Sequence, residues 1–196
     1  MSGPKILAFA GSTRTGSFNK QLIRVAAAAA TAAGGDVTLV DLRDFPMPLY
    51  DGDLEARDGI PEHGRRFKAL MIENQGLLIA APEYNSGITG VLKNTIDWAS
   101  RAAPGEAELA CFTGKTAALL SASPGALGGL RGLVQLRYSL SNIRVLVLPD
   151  QVAVPKAHEA FGPDGRLTDP KRHAAVERLA HSLVEILQKL HQPAAV

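Results

Sequence analysis

The sequence predicts an α/β protein in which helices cover both faces of an open parallel sheet. Three observations lead there. Five apolar runs of strand length alternate with longer segments of helical period. Those runs are apolar almost throughout instead of alternating, as strands buried on both faces are. Each is bounded by Gly, Pro, Asp or Ser, the residues that end strands. Right-handed crossovers and five strands make 2-1-3-4-5 the expected order, a three-layer sandwich.

The strands are predicted at residues 6–10, 37–40, 77–81, 116–121 and 143–148. Helices are predicted at residues 18–33, 62–74, 90–101, 129–140 and 170–191. Ser17 stands at the N-cap of the first helix, where its hydroxyl can bond a first-turn N–H, and Gly34-Gly35 supplies the stop. The helix at 90–101 carries two apolar stripes, one of Leu92, Ile96 and Ala99 and one of Val91, Thr95 and Trp98. A single stripe covers a sheet, so the second is expected against a neighbouring helix or a second subunit. Asp169-Pro170 gives the last helix an N-cap and a first-turn proline. Its apolar face is predicted to be Ala175, Leu179, Leu183, Ile186, Leu187 and Leu190.

Composition narrows the function classes. A chain of 196 residues fits a single domain spanning 1–196. With 46% hydrophobic residues and a net charge of only +2, it is not a disordered chain. One cysteine, Cys111, excludes a disulfide framework or a Cys-rich zinc site; it reads as a half-buried residue, not a catalytic thiol. The histidines at 63, 158, 173, 181 and 191 lack metal-ligand spacing, so no metal is expected. Arg65-Arg66-x-Lys68 reads as a solvated helix face without interleaved aromatics, so nucleic acid is not an expected partner. The run at 6–10 is too short for a secretory segment, and 25–33 is too short to span a bilayer. The expectation is a cytoplasmic protein with no membrane partner.

The informative segments follow strands one, three and four, which are neighbours in the expected order and so meet at one sheet edge. The first reads Gly11-Ser12-Thr13-Arg14-Thr15-Gly16-Ser17-Phe18-Asn19. Hydroxyls, glycines, a guanidinium and a helix N-terminus together make a phosphate cradle. Gly11 and Gly16 have the spacing of a nucleotide-triphosphate loop, but Ser17 stands where its lysine belongs. A dinucleotide fingerprint is absent, although Asp41 ends strand two, and Ala10-Gly11-Ser12 lacks the acids of a receiver domain. A monophosphate with a flat body across the other loops remains. The second loop, Pro82-Glu83-Tyr84-Asn85-Ser86-Gly87, offers a ring and amide groups to such a body. The third, Ser123-Pro124-Gly125-Ala126-Leu127-Gly128-Gly129, exposes backbone N–H groups.

These residues form a recognisable set. Gly11-Ser12-x-Arg14-x-x-Ser17-x-Asn19, Pro82-Glu83-Tyr84-Asn85, Leu92-Lys93-Asn94-x-Ile96-Asp97-Trp98 and Pro124-Gly125-x-x-Gly128-Gly129 resemble the NADPH-dependent FMN reductase family across residues 5–149. That family includes bacterial chromate and quinone reductases and some azoreductases. The resemblance implies a flavodoxin-like fold, bound FMN, and hydride transfer from NADPH or NADH to a small-molecule acceptor: a quinone, chromate, an azo compound or a flavin. The flavin carries the chemistry, so no catalytic side chain is implied. By matching position, Ser12, Arg14, Ser17 and Asn19 would hold the phosphate, with Phe18 beside it. Pro82, Glu83, Tyr84 and Asn85 would line the isoalloxazine, and Ser123, Gly125 and Gly128 belong to the same cofactor set.

A homodimer or homotetramer is also implied. Thr89 stands where members often have proline, and Val134 and Val152 where some have subunit-joining aromatic and acidic residues. Two flat reactants sharing one flavin face would turn over by a ping-pong mechanism. The alternative is a non-enzymatic flavodoxin-type electron carrier, for which strong acidity is expected and +2 is the wrong charge.

Overall fold

The computed structural model describes residues 3–191, so both ends of the 1–196 span lie outside the described residues. In chain order the elements are β1 (Lys5–Ala10), α1 (Phe18–Ala32), β2 (Asp36–Asp41), α2 (Gly52–Asp58), α3 (Glu62–Glu73), β3 (Gly76–Ala80), β4 (Glu83–Tyr84), β5 (Gly87–Ile88), α4 (Gly90–Ala99), β6 (Thr116–Ala122), α5 (Leu130–Asn142), β7 (Leu146–Val154) and α6 (Pro170–Leu190). Five of the strands form one parallel sheet in the order β2-β1-β3-β6-β7, which is the predicted 2-1-3-4-5 arrangement.

Alternation along the strands builds two cores. Ile6, Ala8 and Ala10 of β1 point to one face with Leu78, Ala118 and Leu120, under α1 and α6. Leu7 and Phe9 point to the other with Leu77, Ile79 and Leu119, under α3, α4 and α5. On the α6 side the approach is close: a Cβ on Gly76 would lie 2.5 Å from Leu187 Cδ1.

Several elements depart from the sequence reading. The last strand begins at Leu146, not at 143, because residues 143–145 finish α5: Arg144 has φ +73° and the Val145 N–H bonds to Leu140 O. It continues past Pro149 through a bulge facing β6, tolerable on an edge strand. Helix α2 was not expected; Asp51 caps it but none of its residues is buried, so no apolar period marks it. The inner face of α6 is Val176, Leu179, Ala180, Leu183, Val184 and Leu187, while Leu190 is exposed. The predicted stripe is thus rotated towards the smaller residues.

Three single residues also differ. Trp98 is fully buried within its own chain: Nε1 donates to Pro48 O at 2.8 Å, and the Tyr50 ring meets it edge-on at 5.1 Å. Residues 48–50 cover Trp98, which needs no partner subunit to be buried, while Val91 and Thr95 of the same stripe lie against the core under α3, α4 and α5. Lys68 is buried against Glu106 at 2.7 Å and donates to Arg101 O, which removes it from the supposed solvated face. Cys111 is completely buried, not half-buried, and burial pushes its thiol up to about 11.

Candidate active site

Strands β1, β3 and β6 all end at one edge of the sheet, and the segments that follow them line one cleft. The first segment leads into α1, whose N-cap is Ser17 by backbone conformation, but the Ser17 hydroxyl makes no capping bond. Its side chain lines the cleft instead. The Ser17 carbonyl accepts from the N–H of Lys20 and Gln21. Among the described residues, no acceptor meets the N–H of Phe18 or Asn19, and no acid occupies the first turn of α1. The positive end of α1 is therefore open to an anion.

Two arginines frame this loop. Arg14 is exposed and donates to Gly16 O at 2.9 Å, folding its guanidinium along the loop. Arg43, just past β2, donates to Thr13 O and to Thr15 Oγ1 at 2.9 Å. The sequence reading missed Arg43, which is remote from the loop in sequence and carries no local signal.

The second segment is a hairpin. β4 and β5 pair antiparallel around Asn85 and Ser86, which have φ of 51° and 66°, the turn that suits the twist of paired strands. Tyr84 is 57% exposed beside the tip. The third segment is folded by its glycines: Gly128 has φ +63°, and a Cβ there would lie 2.7 Å from the Pro155 nitrogen. Ser121 Oγ donates to Gly128 O at 2.6 Å and anchors the loop to β6.

Cross-ties join the three segments. Asn19 is buried; its Nδ2 donates to Ala122 O at 2.8 Å and its Oδ1 accepts from the Ala122 N–H at 2.9 Å. This links α1 to the end of β6 and leaves one amide hydrogen of Asn19 free. The Glu83 carboxylate accepts from Arg131 Nε at 2.8 Å and from the Gly132 N–H at 3.1 Å, which docks the hairpin on the first turn of α5. Burial works to raise the Glu83 carboxyl, but the Gly132 and Arg131 bonds outweigh it and hold it below the usual carboxylate range. Thr89 Oγ1 donates to Gly11 O at 2.7 Å and joins the far leg of the hairpin to the first segment.

The cleft, about 70 Å³, is lined by Ser12, Arg14, Ser17, Phe18, Asn19, Pro82, Glu83, Tyr84 and Ser123, together with Ala122 and Pro124. Of the predicted set, Asn85 sits on the exposed hairpin tip, Gly125 on an exposed turn, and Gly128 is buried beneath Val154 and Pro155. Roomier grooves of about 480 and 410 Å³ lie between α1 and α6 and at the β2 edge, and neither is lined by residues of the three segments. The donor set, not the volume, makes this cleft the candidate: free N–H groups, hydroxyls and a guanidinium suit a phosphate, and Pro82 and Tyr84 suit a flat ring.

The fold is flavodoxin-like, and the cleft at the carboxyl edge of its sheet is the candidate mononucleotide site. The sequence model of NADPH-dependent FMN reductase matches residues 4–159, and the chain belongs to that family. It is 37% identical over 180 residues to an NAD(P)H-dependent FMN reductase of Pseudomonas aeruginosa, covering 91% of this chain and 92% of that one. It is 33% identical over 175 residues to a quinone reductase of Pseudomonas putida, covering 87% and 89%. Among solved structures it is similar to FerB, a flavoenzyme NAD(P)H:(acceptor) oxidoreductase from Paracoccus denitrificans, with a TM-score of 0.79, 28% identity and coverage of 95% and 98%. The protein is an oxidoreductase, with FMN as its flavin and NAD(P)H as its reductant.

Proposed function

We propose that this protein reduces quinones with NAD(P)H by a ping-pong mechanism, accepting chromate, azo compounds or free flavin at the same open cleft. One observation carries the reading: a phosphate-ready helix N-terminus and an exposed aromatic ledge face the same small cleft. FMN, when bound there, supplies a two-electron store. Ser12, Arg14, Ser17 and the open N–H groups of Phe18 and Asn19 hold its phosphate. Pro82, Glu83 and Tyr84 border its ring, with Asn85 at the hairpin tip. Ser123, Gly125 and Gly128 give the third segment the shape that lets backbone approach the ring.

No side chain of the cleft forms a nucleophile–base pair, and none is required. The open side lies by Tyr84, and a nicotinamide and a quinone are both flat, so the nucleotide must leave before the acceptor enters. Initial rates at several fixed quinone concentrations should give parallel double-reciprocal lines; intersecting lines would reveal a ternary complex and overturn the mechanism.

The reading extends to assembly and place. Leu130, Val134 and Tyr138 follow one another along α5, with Leu127 just before it, and all four are exposed; Tyr138 is 75% exposed. A continuous apolar stripe of this kind suits a self-complementary contact, which supports a homodimer or a homotetramer of single-domain 1–196 chains. NAD(P)H is a cytoplasmic reductant, and no helix among the described residues is long and apolar enough to cross a membrane; both accord with a cytoplasmic enzyme.

A further inference from the structure

Thr89 is buried, and its hydroxyl does two separate things. It accepts from the Leu92 N–H at 3.2 Å, which caps α4, and it donates to Gly11 O at 2.7 Å. An N-cap needs only the acceptor. The donated bond is additional and crosses from the end of the hairpin to the first residue of the phosphate segment. The contact there is tight: a Cβ on Gly11 would lie 2.8 Å from Leu92 Cδ2. The hairpin's other root is held by the sheet, where the Ala81 N–H bonds to Leu120 O. The Ile88 N–H bonds to Gln135 Oε1 at 2.8 Å and ties this leg to α5; Thr89 is the tie that joins it to the phosphate segment.

We propose that Thr89 is a positioning residue that couples the two ends of the cleft, so that phosphate and ring are recognised as one ligand. The proposal rests on the FMN reading above. With the tie intact, filling the phosphate end orders the loop to which the hairpin is attached, and the ring meets a hairpin already in place. Without it, each end binds on its own, and the advantage of FMN over riboflavin, which lacks the phosphate, shrinks.

The test titrates the apoprotein with FMN and with riboflavin, following flavin fluorescence, in the wild type, Thr89→Val, Thr89→Gly and Thr89→Ser. Val removes both bonds. Gly is tolerated at an N-cap but cannot donate to Gly11. Ser keeps both bonds. The expected result for Val and Gly is about a tenfold loss of FMN affinity, a smaller loss for riboflavin, and a wild-type ratio in Ser. If Val does not fold, Gly reads the same ratio. An FMN-to-riboflavin ratio unchanged in Gly, or a Ser variant that behaves like Gly, would overturn the coupling and leave Thr89 a helix cap. A wild-type apoprotein that binds riboflavin as well as FMN would instead overturn the phosphate assignment itself.

Discussion

Asn19 gives the sharpest test of how the cleft is held. In Asn19→Ala, the Ala122 N–H and C=O lose the partners that now stand at 2.9 and 2.8 Å. Ala122 is only 4% exposed, so both groups are left without direct access to solvent. An orphaned buried group costs about 1–3 kcal/mol; some water entry from the adjacent cleft reduces the pair to about 2–4 kcal/mol. For a domain of this size, that lowers the melting temperature by roughly 4–16 °C. Urea unfolding of the apoprotein measures the loss directly, with the slope reporting whether the unfolding remains comparable. Asn19→Asp refines the test at nearly constant volume. A carboxylate keeps an acceptor for the Ala122 N–H but places a second oxygen against Ala122 O, so at pH 7 it should destabilise at least as much as Ala. An Asn19→Ala apoprotein within about 0.5 kcal/mol of wild type, or an Asp variant as stable as wild type, would refute the cross-tie as a stabilising element.

Arg14→Ala should weaken FMN binding about ten- to hundredfold, the worth of a charge-assisted contact; equal affinity in a fluorescence titration would remove Arg14 from the phosphate site. Cys111, buried with its thiol pushed up to about 11, should resist iodoacetamide at pH 8 in the native protein and react once urea unfolds it. Rapid labelling of the native protein would contradict that burial. Val134→Glu puts a charge in the middle of the exposed α5 stripe and should lower the sedimentation mass at micromolar protein. An unchanged mass would place the subunit contact elsewhere.

How much of this could be read from the chain follows the range of each interaction. The central strands were legible because burial on both faces leaves an unbroken apolar run, as at Gly76–Ala80. The edge strand β7 was misplaced because Pro149 and Asp150 interrupt its pattern at the bulge, and α2 was invisible because it buries nothing. The cleft segments were legible because their Gly, Ser and Pro content is a local signal. The ties between them were not, because Asn19 and Ala122 are 103 residues apart, Thr89 and Gly11 78, and Glu83 and Arg131 48.

A weaker signal was nevertheless present. Asn19 falls on the same face of α1 as Ile23, Ala26 and Ala30, and Lys68 lies within the buried face of α3 with Phe67 and Met71. A polar side chain on an apolar stripe is carried into the core by its helix and must find a partner there. Asn19 accordingly ties α1 to β6 with one amide hydrogen left to offer, and Lys68 is not a solvated charge but the buried partner of Glu106. Burial also separates two kinds of residue at this cleft. Arg14 and Tyr84, which the proposed function sets against the ligand, are exposed, whereas the polar residues that set the distances between the segments are enclosed by the fold.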